Sequence, residues 1–554
     1  MGPCLSLAVR RRVSQRERRP RQSAAMSAAA RPQATWRTLR LPAFRALWTS
    51  GALYFVGNAM QTMAAAWLMV EVTGSSFLAA LVQTAVFLPM FLLSLPAGVL
   101  ADIADRRRLI VASLVVQAAA GALLAALLFA GVAGPAWLLV LVFVGGCCTA
   151  MLSPAWNSAV ADAVPRDELP DAITAISIAY NAARAVGPAL AGALAALAGS
   201  AWNFVVAVVA ALVMAQAIRR WPPKPHPPSR LPAERLWGGM LAGLRFARHS
   251  PLVLAQLVRT VAYGAAGSAL WALLPVIGQR QLGLGAAGVG LLVGCMGGGA
   301  VAAGFVIGRL RAVAGLERLI AGSCVVFAAA MLVAAHSTQK AAIYPALAAG
   351  GAAWMVAMST FNTATQTSVP PWVRARMLAM HMLCALGSFA IGSAFWGALS
   401  DIATLAFALT SAALCMAGGL LLIKPFPLRM GQAHEVTLAT RWDDFVIASE
   451  PDPEAGPVAV EIGYRIRDGE SEAFLDALSR LRGPRRRDGA TFWRIYRDLA
   501  DPSRYVERFI VTSWADYLHQ RARATLADQA LEAAVRSFLR PGEAVSMQHF
   551  VAER

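Results

Sequence analysis

Charge is what this chain has least of. Only 15% of its 554 residues are charged while 57% are hydrophobic, where soluble domains run to about a quarter charged. With a mean hydropathy of +0.54, an ordinary soluble protein is excluded. Acid is scarcer still: 31 Asp and Glu stand against 50 Lys and Arg, for a net charge of +19. No carboxylate sits in the middle of a long apolar run, because Glu71, Asp162, Asp171 and Asp401 all fall at run ends. The seven cysteines form no framework. Cys147, Cys148, Cys295, Cys324, Cys384 and Cys415 lie inside apolar runs without CxxC or Cys/His spacing, which excludes a zinc site or disulfide scaffold and leaves them as small buried hydrophobes. A glycine loop of the Walker type is missing, which argues against direct drive by ATP. The Arg-rich opening, residues 1–26, lacks the apolar core of a cleaved signal. It reads as a basic disordered tail over 1–40, and Met26 stands beside Met1 as a start.

What the chain has is apolar runs longer than the roughly 20 residues that cross a bilayer. Twelve are expected, near 45–71, 76–100, 109–130, 136–160, 172–198, 201–219, 253–278, 286–308, 316–335, 341–366, 376–399 and 403–423. They are continuous rather than alternating, so helices are favoured over a barrel. The basic residues follow the even-numbered runs: Arg106, Arg107 and Arg108 after the second, Arg166 after the fourth, Arg219, Arg220, Lys224, Arg230 and Arg235 after the sixth. Arg309 and Arg311, Arg374 and Arg376, and Lys424 and Arg429 continue the pattern. The opposite loops offer little beyond Arg280 and Lys340. The positive-inside rule then puts both termini in the cytoplasm of a multi-pass cell (inner) membrane protein. The net charge is spent on topology, and no nucleic-acid partner is expected.

A Pro- and Arg-rich stretch, "RRWPPKPHPPSRLPAERL" (219–236), divides six runs from six, since proline ends helices and favours extended linkers. The halves echo each other: "WNSAVADAVP" (156–165) with "FNTATQTSVP" (361–370), and "VGPALAG" (186–192) with "LGSFAIG" (386–392). Parallel repeats around a central site are a carrier architecture. Past residue 430 the pattern changes to strand (457–466), helix (470–481), a strand pair ending at 504–514, helix (528–539) and strand. This β-α-β-β-α-β order is the ferredoxin-like one. The expected units are therefore a tail (1–40), a six-helix half (41–219), a linker (220–250), a second half (251–425), a linker (426–455) and a small cytoplasmic α+β domain (456–554).

The densest charge cluster is "GVLADIADRRRLIV" (98–111). Topology explains its arginines, but not Gly98 or Asp102. A glycine one turn before an aspartate admits a neighbouring helix, whose N-terminus or arginine the carboxylate can bind. Gly98, Leu100, Ala101, Asp102, Arg106 and Arg107 resemble the signature loop between helices 2 and 3 of the major facilitator superfamily, with Ile103 in place of the usual basic residue and Asp105 in place of the usual glycine. "LVQTAVFLPMFLLSLPAGVLAD", "VPRDELPDAITAISIAYNAARAVGPALAGAL" and "WALLPVIGQRQLG" resemble its enterobactin-exporter-like branch, the transmembrane secretion effectors. "RRRDGATFWRIYRDLADPSRYVERFIVTSWADYLHQRAR" is similar to the soluble extension many of them carry. The resemblance implies the major facilitator fold and export of a small molecule, a siderophore or drug, by alternating access, commonly as a proton antiporter.

Asp102, Asp105, Arg106, Arg107 and Arg108, with Gly98, are the expected gating loop. The substrate pathway or coupling site is sought among polar residues inside the runs: Asn58 and Gln61 on one face, Asn157, Asn181, Arg184, Arg259 and Asn362. Gly187 and Pro188 resemble the antiporter motif of the fifth helix. Arg184 and Arg259 fit either a pathway or structural pairing; for His381 the structural reading is preferred. Glu71 and Asp102 are the carboxylates best placed for protons. In the α+β domain, which resembles small antibiotic-biosynthesis monooxygenases that dimerise through their sheets, Trp493, Trp514, His519 and His549 are weighed as a pocket against simple packing. Packing is preferred, and so no enzyme, cofactor or metal is expected. The partners are a small-molecule substrate and the lipid bilayer, with dimerisation through the C-terminal domain. A carrier fused to a monooxygenase-like enzymatic or regulatory domain, and a sensor on a carrier fold, stand as alternatives.

Overall fold

The computed structural model describes residues 36–103, 105–165, 168–221, 236–370, 372–439 and 451–553. The basic tail, the Pro-rich stretch of 222–235 and Arg166 lie outside these. Long helices dominate: α1 (Pro42–Thr73), α2 (Ser76–Ile103), α3 (Arg106–Phe129), α4 (Pro135–Ala163), α5 (Leu169–Ala198) and α6 (Ala201–Arg220). The second group holds α8 (Pro251–Val276), α9 (Ala286–Ala314), α10 (Leu316–His336), α11 (Lys340–Thr367), α12 (Arg374–Ile402) and α13 (Leu405–Gly418), preceded by a shorter α7 (Leu236–His249). Local chemistry sets their ends. Proline opens α1, α4 and α8, where no N–H is needed. Gly74 ends α1 at φ 63°, a left-handed conformation that glycine adopts without strain. Asp105 caps α3 by accepting from Arg108 N at 3.2 Å, and Thr404 caps α13 by accepting from Phe407 N at 3.1 Å.

Ten of these helices, among the described residues, are long and apolar enough to cross a membrane. The expectation of twelve is therefore met for ten. α1 and α5, at 32 and 30 residues, fall outside that set while carrying Asn58, Gln61 and Thr62, or Ser177, Asn181 and Arg184, along their length.

Within the first group α1 packs on α5 and α6, α2 on α4, and α3 on α4 and α6; in the second, α8 packs on α12, α9 on α11, and α10 on α11 and α13. Small residues let backbones touch. A Cβ on Gly299 would lie 1.8 Å from Ala348 O, and one on Gly351 1.8 Å from Met296 O. The groups meet along two seams, α2 with α12 and α5 with α9.

A four-stranded antiparallel sheet follows, in the order β2-β3-β1-β4, with β1 (Val458–Arg465), β2 (Phe492–Arg497), β3 (Arg504–Val511) and β4 (Ser546–Val551). β1 and β3 alternate buried and exposed residues, so one face packs against α14 (Ser471–Ser479), α15 (Arg482–Asp488), α16 (Trp514–Arg523) and α17 (Leu526–Arg536).

Three expectations shift. The 504–514 strand stops at Val511, and Trp514 begins α16, a helix the sequence reading did not contain. Ser513 caps it by accepting from Asp516 N at 3.2 Å. The connection expected over 220–250 is helical in its second part. The linker expected over 426–455 starts as a packed strap: Leu428 N donates to Glu317 Oε2 at 2.8 Å and Gly431 N to Ser368 Oγ at 3.1 Å. Further along, Ala439 N donates to Ala524 O at 2.8 Å.

Candidate substrate pathway and gates

Both seams close at the same end. Where α12 finishes and α2 begins, a Cβ on Gly397 would lie 2.4 Å from Ala80 Cβ. Thr84 Oγ1 donates to Ala390 O at 2.9 Å, and Phe87 meets Phe389 edge-on at 4.8 Å. On the other seam, Gly290 faces Pro188 O at 2.4 Å, Gly192 faces Ala286 O at 2.4 Å and Gly297 faces Ala185 Cα at 2.5 Å, each measured from the Cβ the glycine lacks. The repeated "VGPALAG" and "LGSFAIG" stretches lie on these two seams. The echo marks where small residues are needed for helices to touch. Gly187 packs instead within the first bundle, against α1, 2.6 Å from Ala59 Cβ by the same measure.

The buried polar groups form two sets, one inside each bundle. In the first bundle, Gln117 Nε2 donates to Asn58 Oδ1 at 3.3 Å, and Tyr54 OH donates to Gln117 Oε1 at 2.9 Å and lies 3.4 Å from Thr149 Oγ1. Asn58 was legible in the sequence; Gln117, a lone amide in an apolar run, was the signal passed over. Gln61 is buried nearby. Arg184 crosses between bundles: its guanidinium lies 6.0 Å from the Tyr180 ring and 5.2 Å from the Trp271 ring of α8. Cation–π contact of this kind holds an arginine without a carboxylate and leaves its N–H groups available. Asn181 is not joined to it, since its Nδ2 donates back to Ser177 O at 2.8 Å. Asn157 is exposed and Asn362 accepts from Gln366 Nε2 at 2.5 Å.

Arg259 is buried and ion-paired with Glu317, a carboxylate at the start of α10. Glu317 was not among the expected acids; its position two residues after Gly315, in the first turn of a helix, was the available signal. His381 is buried, 3.4 Å from Thr260 Oγ1. Glu71 is exposed at the end of α1.

The expected gating loop resolves only in part. Gly98 and Asp102 lie in α2, but their side chains fall outside the described residues. Arg106 pairs with Asp162 at 3.2 Å, tying α3 to the end of α4 within one bundle. Asp105 caps α3 and meets Arg108 Nε at 3.6 Å. Arg107 is half-buried.

In the α+β domain, a cavity of about 300 Å³ is lined by Tyr464, Arg485, Phe509, Tyr517, Gln520 and Glu532, among others. Trp493, Trp514, His519 and His549 are not in its wall. The preferred packing reading fits Trp514, which is core (1% exposed), while His519 is exposed. Trp493 donates to the buried Glu507 at 2.8 Å and His549 Nε2 meets Tyr517 OH at 2.6 Å. Glu507 also accepts from Tyr464 OH at 2.9 Å and pairs with Arg485 at 3.1 Å. Burial pushes Asp488 up to about 6 against the opposing Arg487.

Paired helical bundles that touch along two small-residue seams define a polytopic membrane protein of the carrier type. The profile of the transmembrane secretion effector family matches residues 33–554, and the chain belongs to that family. Macrolide efflux protein A of Streptococcus pyogenes is 28% identical over 168 residues, which is 30% of this chain and 40% of that protein. The match thus spans well under half of that relative's length. Multidrug efflux pump Tap of Mycobacterium tuberculosis is 27% identical over 393 residues, 66% of this chain and 88% of its own. Family and relatives are transporters, not enzymes. Among solved structures, a bacterial homologue of the human lysosomal transporter Spinster, inward-facing and unoccupied, aligns with TM-score 0.53 and 15% identity over 72% of this chain and 96% of that one. The nucleoside transporter NupG aligns with TM-score 0.56 and 12% identity, over 69% and 98%. They share the major facilitator fold.

Proposed function

We propose that this chain is a secondary active exporter that moves small hydrophobic or chelating molecules, drug- or siderophore-like, out of the cell by alternating access coupled to protons. The observation that carries it is the pair of seams packed tightly at the end where α2 and α9 begin, with one arginine clasped by aromatic rings from both bundles. In this reading α1 and α5 span the membrane with the other ten helices. Their polar residues face the pathway rather than lipid, because lipid offers no partners. Basic residues cluster at the end opposite the tight seam contacts, so in this reading that end is cytoplasmic and the seams are closed on the outer side. Efflux by the Streptococcus and Mycobacterium relatives supports the direction of transport. The strand order β4-β1-β3-β2, antiparallel throughout, supports a ferredoxin-like C-terminal domain in the cytoplasm.

The test is cellular. Expression should lower steady-state accumulation of a labelled macrolide, collapse of the proton gradient should restore it, and Arg184→Ala should abolish the difference while leaving membrane abundance intact. If purified protein in liposomes moved neither macrolides, other drugs nor ferric siderophores under any imposed gradient, a sensor built on a carrier fold would replace this reading.

A further inference from the structure

Helix α2 begins with its first N–H groups turned toward the opposite bundle. The first N–H groups of any helix have no partner within it and carry the positive end of its dipole. Here they are answered from far along the chain. Asp401, in the last turn of α12, accepts from Ser76 N at 2.7 Å through Oδ1, and from Phe77 N at 3.0 Å and Ser75 Oγ at 2.5 Å through Oδ2. The third N–H, Leu78 N, goes to Ser75 Oγ at 3.1 Å. Two of the three are thus satisfied by one carboxylate from the other half. Arg280, four residues beyond the end of α8, reaches the same turn, with NH1 3.5 Å from Ser76 Oγ.

The position matters as much as the bonds. Gly397, one turn earlier on α12, is where the α2–α12 seam is tightest, so Asp401 sits at the outermost rung of that seam. The equivalent place on the other seam is built differently: α9 starts at Gly285 without a side-chain cap. The carboxylate is therefore a feature of one seam, not a general requirement of the packing. When the seam opens, the N–H groups of Ser76 and Phe77 and the Asp401 carboxylate separate together and must find water.

We propose that Asp401 is the latch of the outer gate, a positioning residue that holds the closed-seam state by capping α2 in trans and releases it when the halves rock apart. This rests on the alternating-access reading above.

The test uses full-length protein in nanodiscs, with the seven native cysteines replaced and spin labels placed in two pairs. Val132 and Ser337 report the outer end; Arg219 and Arg309 report the inner end. Asp401→Ala and the same-sized Asp401→Asn should both shift the outer pair to longer distances and the inner pair to shorter ones, raising the open-seam population on the order of tenfold. Hydrogen exchange in unlabelled protein should quicken at residues 76–77. Unchanged distances in both pairs, with faster exchange at 76–77 alone, would reduce Asp401 to a local cap and overturn the proposal. Should Asp401→Ala fail to insert, the Asp401→Asn distances decide by the same criterion. A shifted outer pair in a protein that transports nothing would leave the latch standing and remove the exporter reading. Normal transport with unshifted distances would do the reverse.

Discussion

Arg259 and Glu317 show how one side chain's meaning depends on its neighbours. In an apolar run, a lone arginine fits a substrate contact or a structural ion. Beside Glu317, whose second oxygen is held by Leu428 N, it is the buried member of a pair. Breaking such a pair from one side strands a charge and costs about 3–5 kcal/mol, whereas removing both ends together is often nearly neutral. Glu317→Gln should therefore lower the thermal stability of purified protein sharply, and Arg259→Met with Glu317→Gln should recover most of it. If the double variant is stable but inactive, the pair serves transport as well. Asp488 gives a pH-dependent counterpart outside the membrane. Its carboxyl is pushed from 3.8 to about 6 by burial, so the folded domain favours the protonated form. Its contribution to stability is then highest below about pH 4, declines as pH rises through about 6, and is lost above it, on the order of 3 kcal/mol. His549, held below its ordinary value by burial and by Arg521, acts in the opposite sense as pH falls below 6.5, so the signal is the difference between proteins. The stability gap between Asp488→Asn and the parent should change between pH 4 and 6.5, read by thermal unfolding of the full chain.

At the scale of helices, glycine divides into two kinds by what its missing Cβ would strike. Gly299 and Gly351 face backbone oxygens within one bundle, on the α9–α11 contact. Any side chain there must push two permanently packed helices apart, so Gly351→Leu should prevent stable insertion. Gly290 and Gly297 face backbone across the seam between bundles, a contact that opens in the proposed alternating-access cycle. Gly297→Leu should insert, remain folded and accumulate with the outer end open. Membrane abundance and outer-loop thiol accessibility separate the two outcomes; equal loss of abundance in both variants would show that the seam is a fixed contact. The α12 residues Ser388 and Ser393 bond their hydroxyls to backbone carbonyls in their own helix, and Ser388 lies against Gly264 of α8 within the bundle.

For the whole molecule, the C-terminal domain leans on one bundle. Arg523 stacks over Trp372 at 4.3 Å, Arg487 lies 5.7 Å from the Phe246 ring, and Arg245 NH1 donates to Gly489 O at 3.0 Å. All of these partners belong to α7 or the α11–α12 connection. In the proposed cycle, a domain that contacts one half alone leaves the other half free to rock. Truncation at Lys424 would remove the Leu428 N–H that holds Glu317 and so confuse loss of the domain with damage to the bundle. Truncation after Ala439 keeps the strap. That shorter protein should insert and export at close to the full-length rate, measured as labelled substrate efflux; complete loss would make the domain part of the mechanism.

The sequence by itself determined the membrane class, the two halves, the places where helices run, and the alternation of charge along the chain. All of these follow from period, length and composition, which are properties of neighbours in the chain. It also marked Asn58 and Arg184, because polar residues stand out in an apolar run, and through its repeat the stretches 186–192 and 386–392 that lie on the seams. It did not show Glu317, Gln117 or Asp401 as partners, and it misread the start of α16, whose polar turns hide a helix packed by Trp514 and Tyr517 (1% and 2% exposed). Asp401 looked like one more acid at a span end. Only the tertiary structure brings it to the first turn of α2, more than 300 residues away, because a carboxylate's role is set by which unpaired N–H groups the fold places within 3 Å of it.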